Sequence, residues 1–126
     1  MESNDDIRSE LRQPARDLRD LIPDVWKGHV ETSAAALRDG ALSAQAKELI
    51  ALVVAVTREC DGCIVAHARG AARQLATRQM VAEAMGVAIS MNGGPGTVWG
   101  PRALRAFDEA VAERAQRSDP ATMLAT

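Results

Sequence analysis

Tyrosine is absent from this 126-residue chain, and the remaining aromatics are Trp26, Trp99 and Phe107. Twisted sheets draw on aromatic and β-branched side chains, so this scarcity beside abundant Ala, Val and Leu points to closely packed helices. Long hydrophobic runs are also missing. The longest, Leu49 to Val56, is far too short to span a bilayer. The opening Met1-Glu2-Ser3-Asn4-Asp5-Asp6 is acidic and lacks the apolar stretch of a signal peptide, so a cytoplasmic location is expected. Positive charge is not in excess: the formal net charge is -2, and Arg58, Arg69, Arg73 and Arg78 are interleaved with apolar and acidic residues. That pattern gives no footprint for nucleic acid or an anionic membrane, and predicts a solvated mixed-charge surface. Cysteine is scarce too, and its two copies stand three residues apart at Cys60 and Cys63. In a reducing compartment such a pair points to catalysis or metal binding before a structural staple.

What is present fits a single all-α domain, a bundle of about six helices. With 47% of residues apolar a core can form, but its side chains are small, and self-association is a natural way to bury more. A first segment runs from about Asp5 to Asp20, with Pro14 as a potential break. A second starts at Pro23, a favourable first-turn residue, and stops at Gly40. Ser43 reads as the N-cap of a third helix through Glu59. A fourth covers about Asp61 to Leu75, and Thr77 caps a fifth that reaches Met91. Asn92-Gly93-Gly94-Pro95-Gly96 reads as a clear break, before a last helix from Thr97 or Pro101 to about Ala115. The organisation expected is an N-terminal helical extension over 1–22, a domain over 23–115 and a flexible tail over 116–126, with the first few residues frayed.

Ile50 to Val56 could instead be a buried strand, and a strand followed by C-x-x-C and a helix is the thioredoxin pattern. Two observations favour a helix. The run continues without Gly or Pro from Ser43, and no other segment offers the partner strands that a sheet needs.

Cys60 and Cys63 fall where the third helix gives way to the fourth. If Cys60 lies at the start of the fourth, Cys63 and His67 follow on the same helical face. A thiol there meets unpaired backbone N–H groups and the positive end of the helix dipole, which favour thiolate. The two sulfurs are near enough in sequence to cycle between dithiol and disulfide. His67 can take or return a thiol proton, and needs a partner to fix its tautomer. Glu48 is the candidate partner, although on spacing alone a carboxylate at the start of an apolar helix more often caps or solvates that start.

Taken together, Glu48-x11-Cys60-x2-Cys63-x3-His67 resembles the signature of the AhpD-like alkylhydroperoxidases, within the carboxymuconolactone decarboxylase superfamily. Further segments share the likeness: Glu48-Leu49-Ile50-Ala51-Leu52, Cys60 to His67, Ala82 to Ala88, Gly93-Gly94-Pro95 and Pro101-Arg102-Ala103-Leu104. It covers roughly residues 23 to 110. The resemblance implies an all-α fold assembling as a homo-oligomer, a trimer or hexamer; no cofactor and no metal are expected. It implies that Cys63 attacks a peroxide or disulfide substrate, that Cys60 resolves the product, and that His67 and Glu48 form the proton relay. The reductant it implies is a dithiol protein, lipoylated in better-known members. Those members carry a further histidine between the cysteines, where this chain has Gly62. One link of the family relay is therefore missing.

Other readings compete. Zinc could be held by Cys60, Cys63 and His67 with Glu48 or His29, though structural zinc sites usually gather two separated ligand clusters. A lactone decarboxylase-type lyase would share the fold without needing two thiols. A non-enzymatic redox sensor would need only one stoichiometric oxidation. His29, beside Trp26 and Val30, reads as a packed or solvent-tipped residue. Trp99 reads as a subunit contact or pocket rim, and Met80, Met85 and Met91 as core.

Overall fold

Among the residues described by the computed structural model, 1–119 and 121, six helices follow one another and no strand occurs: α1 (Asn4–Leu21), α2 (Pro23–Ala36), α3 (Ala44–Thr57), α4 (Asp61–Arg73), α5 (Arg78–Asn92) and α6 (Gly94–Arg117). The contested run Ile50–Val56 is helical. Its burial pattern shows why: Leu52, Ala55 and Val56 face the core while Ile50 and Val54 face outward, a spacing of three and four that a strand cannot present. Ser43 caps α3 by accepting the Ala46 amide at 3.0 Å, and Thr77 caps α5 by accepting that of Met80 at 3.1 Å.

The core lies between α3, α4, α5 and α6. Leu52, Val56, Ile64, Val81, Met85 and Phe107 supply its bulk, with Ala68, Ala71, Ala88, Ala103 and Ala106 letting the helices approach closely. Burying each larger side chain contributes roughly 1.5–3 kcal/mol. The chain's one phenylalanine is among them, and both tryptophans stay outside the fully buried set. No helix is long and apolar enough to cross a membrane among the described residues.

Several boundaries differ from those expected. α1 continues through Pro14 and α6 through Pro101, each giving up an amide hydrogen bond without ending the helix. α2 ends at Ala36 instead of Gly40, and residues 37–43 form a turn closed by the Gly40 amide on the Leu42 carbonyl, 2.9 Å. The expected break at residues 92–96 shrinks to a corner. Gly93 alone takes a positive φ (67°), and α6 begins at once with Pro95 in its first turn. α6 then runs past Ala115 to Arg117; of the tail expected over 116–126, residues 120 and 122–126 lie outside the described residues. Of the three methionines, Met85 is 5% exposed, Met80 is half-buried and Met91 is 78% exposed, so Met91 is not core.

The first residues are tied down instead of frayed. Ser3 and Asp6 form a reciprocal capping box. The Asn4 amide donates to Glu109 at 2.8 Å, and its buried side chain donates to the Ala106 carbonyl at 2.9 Å. Arg105 holds the carbonyls of Met1 and Glu2. These contacts lay α1 across α4 and α6, whereas α2 packs against α1 only and buries no residue.

Candidate functional site

The end of α3 and the start of α4 are one continuous device. The Cys60 amide donates to the Ala55 carbonyl and the Glu59 amide to that of Val56, both at 3.1 Å, with Glu59 at φ 53°. This is the paired hydrogen-bond pattern of a Schellman stop, built here without glycine. Cys60 is thus the second residue past the α3 C-cap, Arg58, and, at the same time, the N-cap of α4. Its Sγ accepts the Cys63 amide at 3.2 Å. The helix-start position expected for Cys60 is therefore the one observed.

Cys60 and Cys63 are joined as a disulfide, with Cα atoms 5.2 Å apart. Cys63 is exposed and Cys60 half-buried. One turn further along α4, His67 places Nδ1 2.9 Å from Glu48 Oε2. With the carboxylate as acceptor, Nδ1 carries the shared proton and this contact leaves Nε2 unengaged. Glu48 does not cap or solvate the start of α3. It is 7% exposed and turned inward onto His67.

The space for this buried carboxylate is made by Gly70, which sequence reasoning passed over. A Cβ at Gly70 would collide with both carboxyl oxygens of Glu48. A signal existed: glycine inside an Ala-rich helix costs about 1 kcal/mol relative to alanine, which marks a close approach. Gly62, about two turns earlier in α4, marks a second close approach. A Cβ there would lie 3.3 Å from Leu11 Cδ1 of α1, so a histidine side chain at 62 would meet the N-terminal helix. The departure from the family pattern thus coincides with the place where α1 crosses α4.

A groove of about 520 Å³ opens beside the disulfide, lined by Ala51, Val54, Ala55, Arg58, Cys60, Cys63 and His67. Arg58 in this wall is a second residue that the sequence did not single out. Outside this groove, Asp61 pairs with Arg102 at 3.8 Å, and the Arg102 guanidinium lies 4.5 Å from the centroid of the Trp99 ring. His29 is exposed on α2 and lines none of this groove. Among the described residues no group of three or more His, Cys, Asp or Glu side chains is placed to hold a metal ion.

Arginines that look scattered in the sequence do gather elsewhere. Arg69, Arg73, Arg114 and Arg117 line a cleft of about 180 Å³ around Glu113, which pairs with Arg8 and Arg69 at 3.4 Å and Arg117 at 3.6 Å. Burial, reinforced by the nearby Arg8 charge, draws the Arg69 guanidinium below its ordinary value. No cysteine belongs to this cleft.

The sequence pattern described as the carboxymuconolactone decarboxylase family matches residues 23–112. An uncharacterized protein of Cupriavidus necator is 46% identical over 74 residues, covering 59% of this chain and 66% of its own length. A protein of Paracoccus denitrificans described as uncharacterized protein 4 in cox locus is 41% identical over 71 residues, 56% of this chain and 64% of its own. The matched stretch spans just under two thirds of the length of these relatives. Among solved structures, the apo form of a carboxymuconolactone decarboxylase family protein from Legionella pneumophila is 35% identical, with a TM-score of 0.80. The match covers 83% of this chain and 94% of that one.

Proposed function

Since the chain belongs to the carboxymuconolactone decarboxylase family, whose shared fold does not dictate one chemistry, we propose from its thiol pair that it is a thiol–disulfide oxidoreductase that reduces peroxides. The observation that carries this reading is the disulfide at the start of α4, within one helical turn of a histidine whose Nδ1 is held by a buried carboxylate.

In the reduced protein, Glu48 holds His67 with Nε2 toward the cysteines, and His67 takes the proton of Cys63. The Cys63 thiolate attacks the distal oxygen of a hydroperoxide. The O–O bond breaks, the alkoxide takes up a proton and leaves as the alcohol, and Cys63 becomes a sulfenic acid. Cys60, its thiolate favoured by the Cys63 amide and the α4 dipole, displaces that hydroxyl as water and closes the disulfide. An external dithiol then reduces the pair by exchange and becomes a disulfide itself. A lipoylated protein partner, a cytoplasmic setting and a trimeric or hexameric assembly complete the proposal. The apolar residues exposed along α1 and α2, Leu18, Leu21, Val25 and Val30, support self-association.

The test is intact mass measurement of reduced protein after one equivalent of peroxide, with thiol trapping. Wild type should lose two hydrogens as the disulfide forms. Cys60→Ser should retain an added oxygen on Cys63, Cys63→Ser should consume no peroxide, and His67→Ala should react with a thiol-alkylating probe more slowly near neutral pH. Equal alkylation of wild type and His67→Ala would remove the relay from the mechanism.

A further inference from the structure

The groove beside the disulfide is asymmetric in charge. Arg58 is the one side chain in its wall that carries a fixed positive charge, and no carboxylate lines it. Two acids of the site are already paired: Glu48 with His67 at 2.9 Å, and Asp61 with Arg102 at 3.8 Å. Glu59, adjacent to Arg58 in sequence, does not line the groove. Among the described residues Arg58 has no acidic partner within ion-pair distance, and its side chain is exposed at the mouth. Beyond the cysteines and His67, the rest of the wall is apolar, formed by Ala51, Val54 and Ala55. The space, about 520 Å³, falls within the range of roughly 300–1,000 Å³ usual for small-molecule sites.

We infer that the groove selects an anionic organic hydroperoxide, an alkyl chain bearing a carboxylate. The chain would lie along Ala51, Val54 and Ala55, with the carboxylate on the Arg58 guanidinium and the O–O bond over Cys63. This narrows the substrate class of the peroxide-reducing reading and rests on it. Arginine suits the task because its planar fork donates to both oxygens of a carboxylate. The chemistry at sulfur is unaltered. Cys63 takes the distal oxygen, the hydroperoxide leaves as the corresponding hydroxy acid, and the carboxylate passes through unchanged. An exposed pair of this kind is worth roughly a two- to five-fold preference, diminishing as salt shortens the Debye length below about 8 Å.

Two isosteric thiol probes that differ in charge isolate this effect. Iodoacetate and iodoacetamide react with the reduced protein, and the ratio of their rates cancels any influence of Arg58 on the thiol itself. In Arg58→Gln the ratio of iodoacetate to iodoacetamide rates should fall roughly two- to five-fold, and in Arg58→Lys it should largely be retained. Raising the salt should lower the wild-type ratio toward that of Arg58→Gln. An unchanged ratio in Arg58→Gln overturns the inference. A parallel arm measures kcat/KM for a carboxylated alkyl hydroperoxide against a neutral one of similar size. If both are reduced and Arg58→Gln alters neither relative to the other, the substrate assignment falls while the peroxidase reading stands. If neither oxidises the dithiol, the peroxidase reading falls and takes the hydroperoxide assignment with it. The alkylation ratio then reports the groove's charge preference on its own.

Discussion

Gly70 inverts the usual sign of a helix substitution. In an ordinary helix interior, glycine to alanine gains about 1 kcal/mol. Here the added methyl meets the Glu48 carboxyl, which is buried and already committed to His67. Gly70→Ala is therefore expected to destabilise the fold by about 1–3 kcal/mol, and to slow alkylation of the reduced protein as His67→Ala does. Urea denaturation and probe kinetics on the same variant check both effects. The site residues differ in how far sequence could reveal them. Cys60, Cys63 and His67 are legible because one helix carries all three at offsets that share a face. Glu48 comes from another helix, and spacing within α3 cannot say that its side chain turns inward. Arg58 is harder still. Nothing local distinguishes an arginine that lines a groove from one in solvent until the α3–α4 corner is folded.

At the scale of elements, the corners explain which boundaries could be read. Ser43 and Thr77 announce α3 and α5 because their hydroxyls satisfy first-turn amides in any context. The ends of α3 and α4 carry no such sign. Both close with the same paired hydrogen bonds, and both place a non-glycine residue at positive φ, Glu59 at 53° and Leu75 at 59°. Leu75 thus reads as the last helical residue when it stands past the end of α4. The left-handed conformation costs a side-chain-bearing residue roughly 1–2 kcal/mol, most for a β-branched one. Glu59→Val is accordingly expected to be less stable than Glu59→Gly by at least about 1 kcal/mol in denaturant titration. Because Cys60 follows directly, Glu59→Val should also slow closure of the disulfide after peroxide. α1 has a pH-sensitive start. The backbone amide of Ser3, then its hydroxyl, hold the Asp6 carboxyl below its ordinary value of 3.8. A depressed carboxylate contributes stability above its unfolded value and loses it as pH falls through the folded one. Amide protection, corrected for intrinsic exchange, should therefore fall in the first turn of α1 below pH 3.8, ahead of that in the core.

On the scale of the whole molecule, the aromatic-poor sequence and the helical fold agree: four helices close on one another through alanines, and one phenylalanine suffices to fill the middle. The sequence could not show how unevenly the outside is finished. α2 buries none of its residues, and Val25 and Val30 on it are 68% and 52% exposed. If these residues are covered by further copies of the chain, the melting temperature should rise with protein concentration, as mass action requires. Val25→Glu should abolish that dependence, with sedimentation as the direct measure. The small number of aromatics has one more consequence, an optical one. With no tyrosine in the chain, near-ultraviolet emission comes almost entirely from two indoles, and Trp26 sits out on α2. Trp99 lies beneath Arg102, and Arg102 reaches Asp61, the residue directly after Cys60. In a Trp26→Phe chain the fluorescence belongs to Trp99 alone. A guanidinium that loosens when the disulfide opens would shift that light, so the protein's own emission becomes a label-free gauge of its oxidation state.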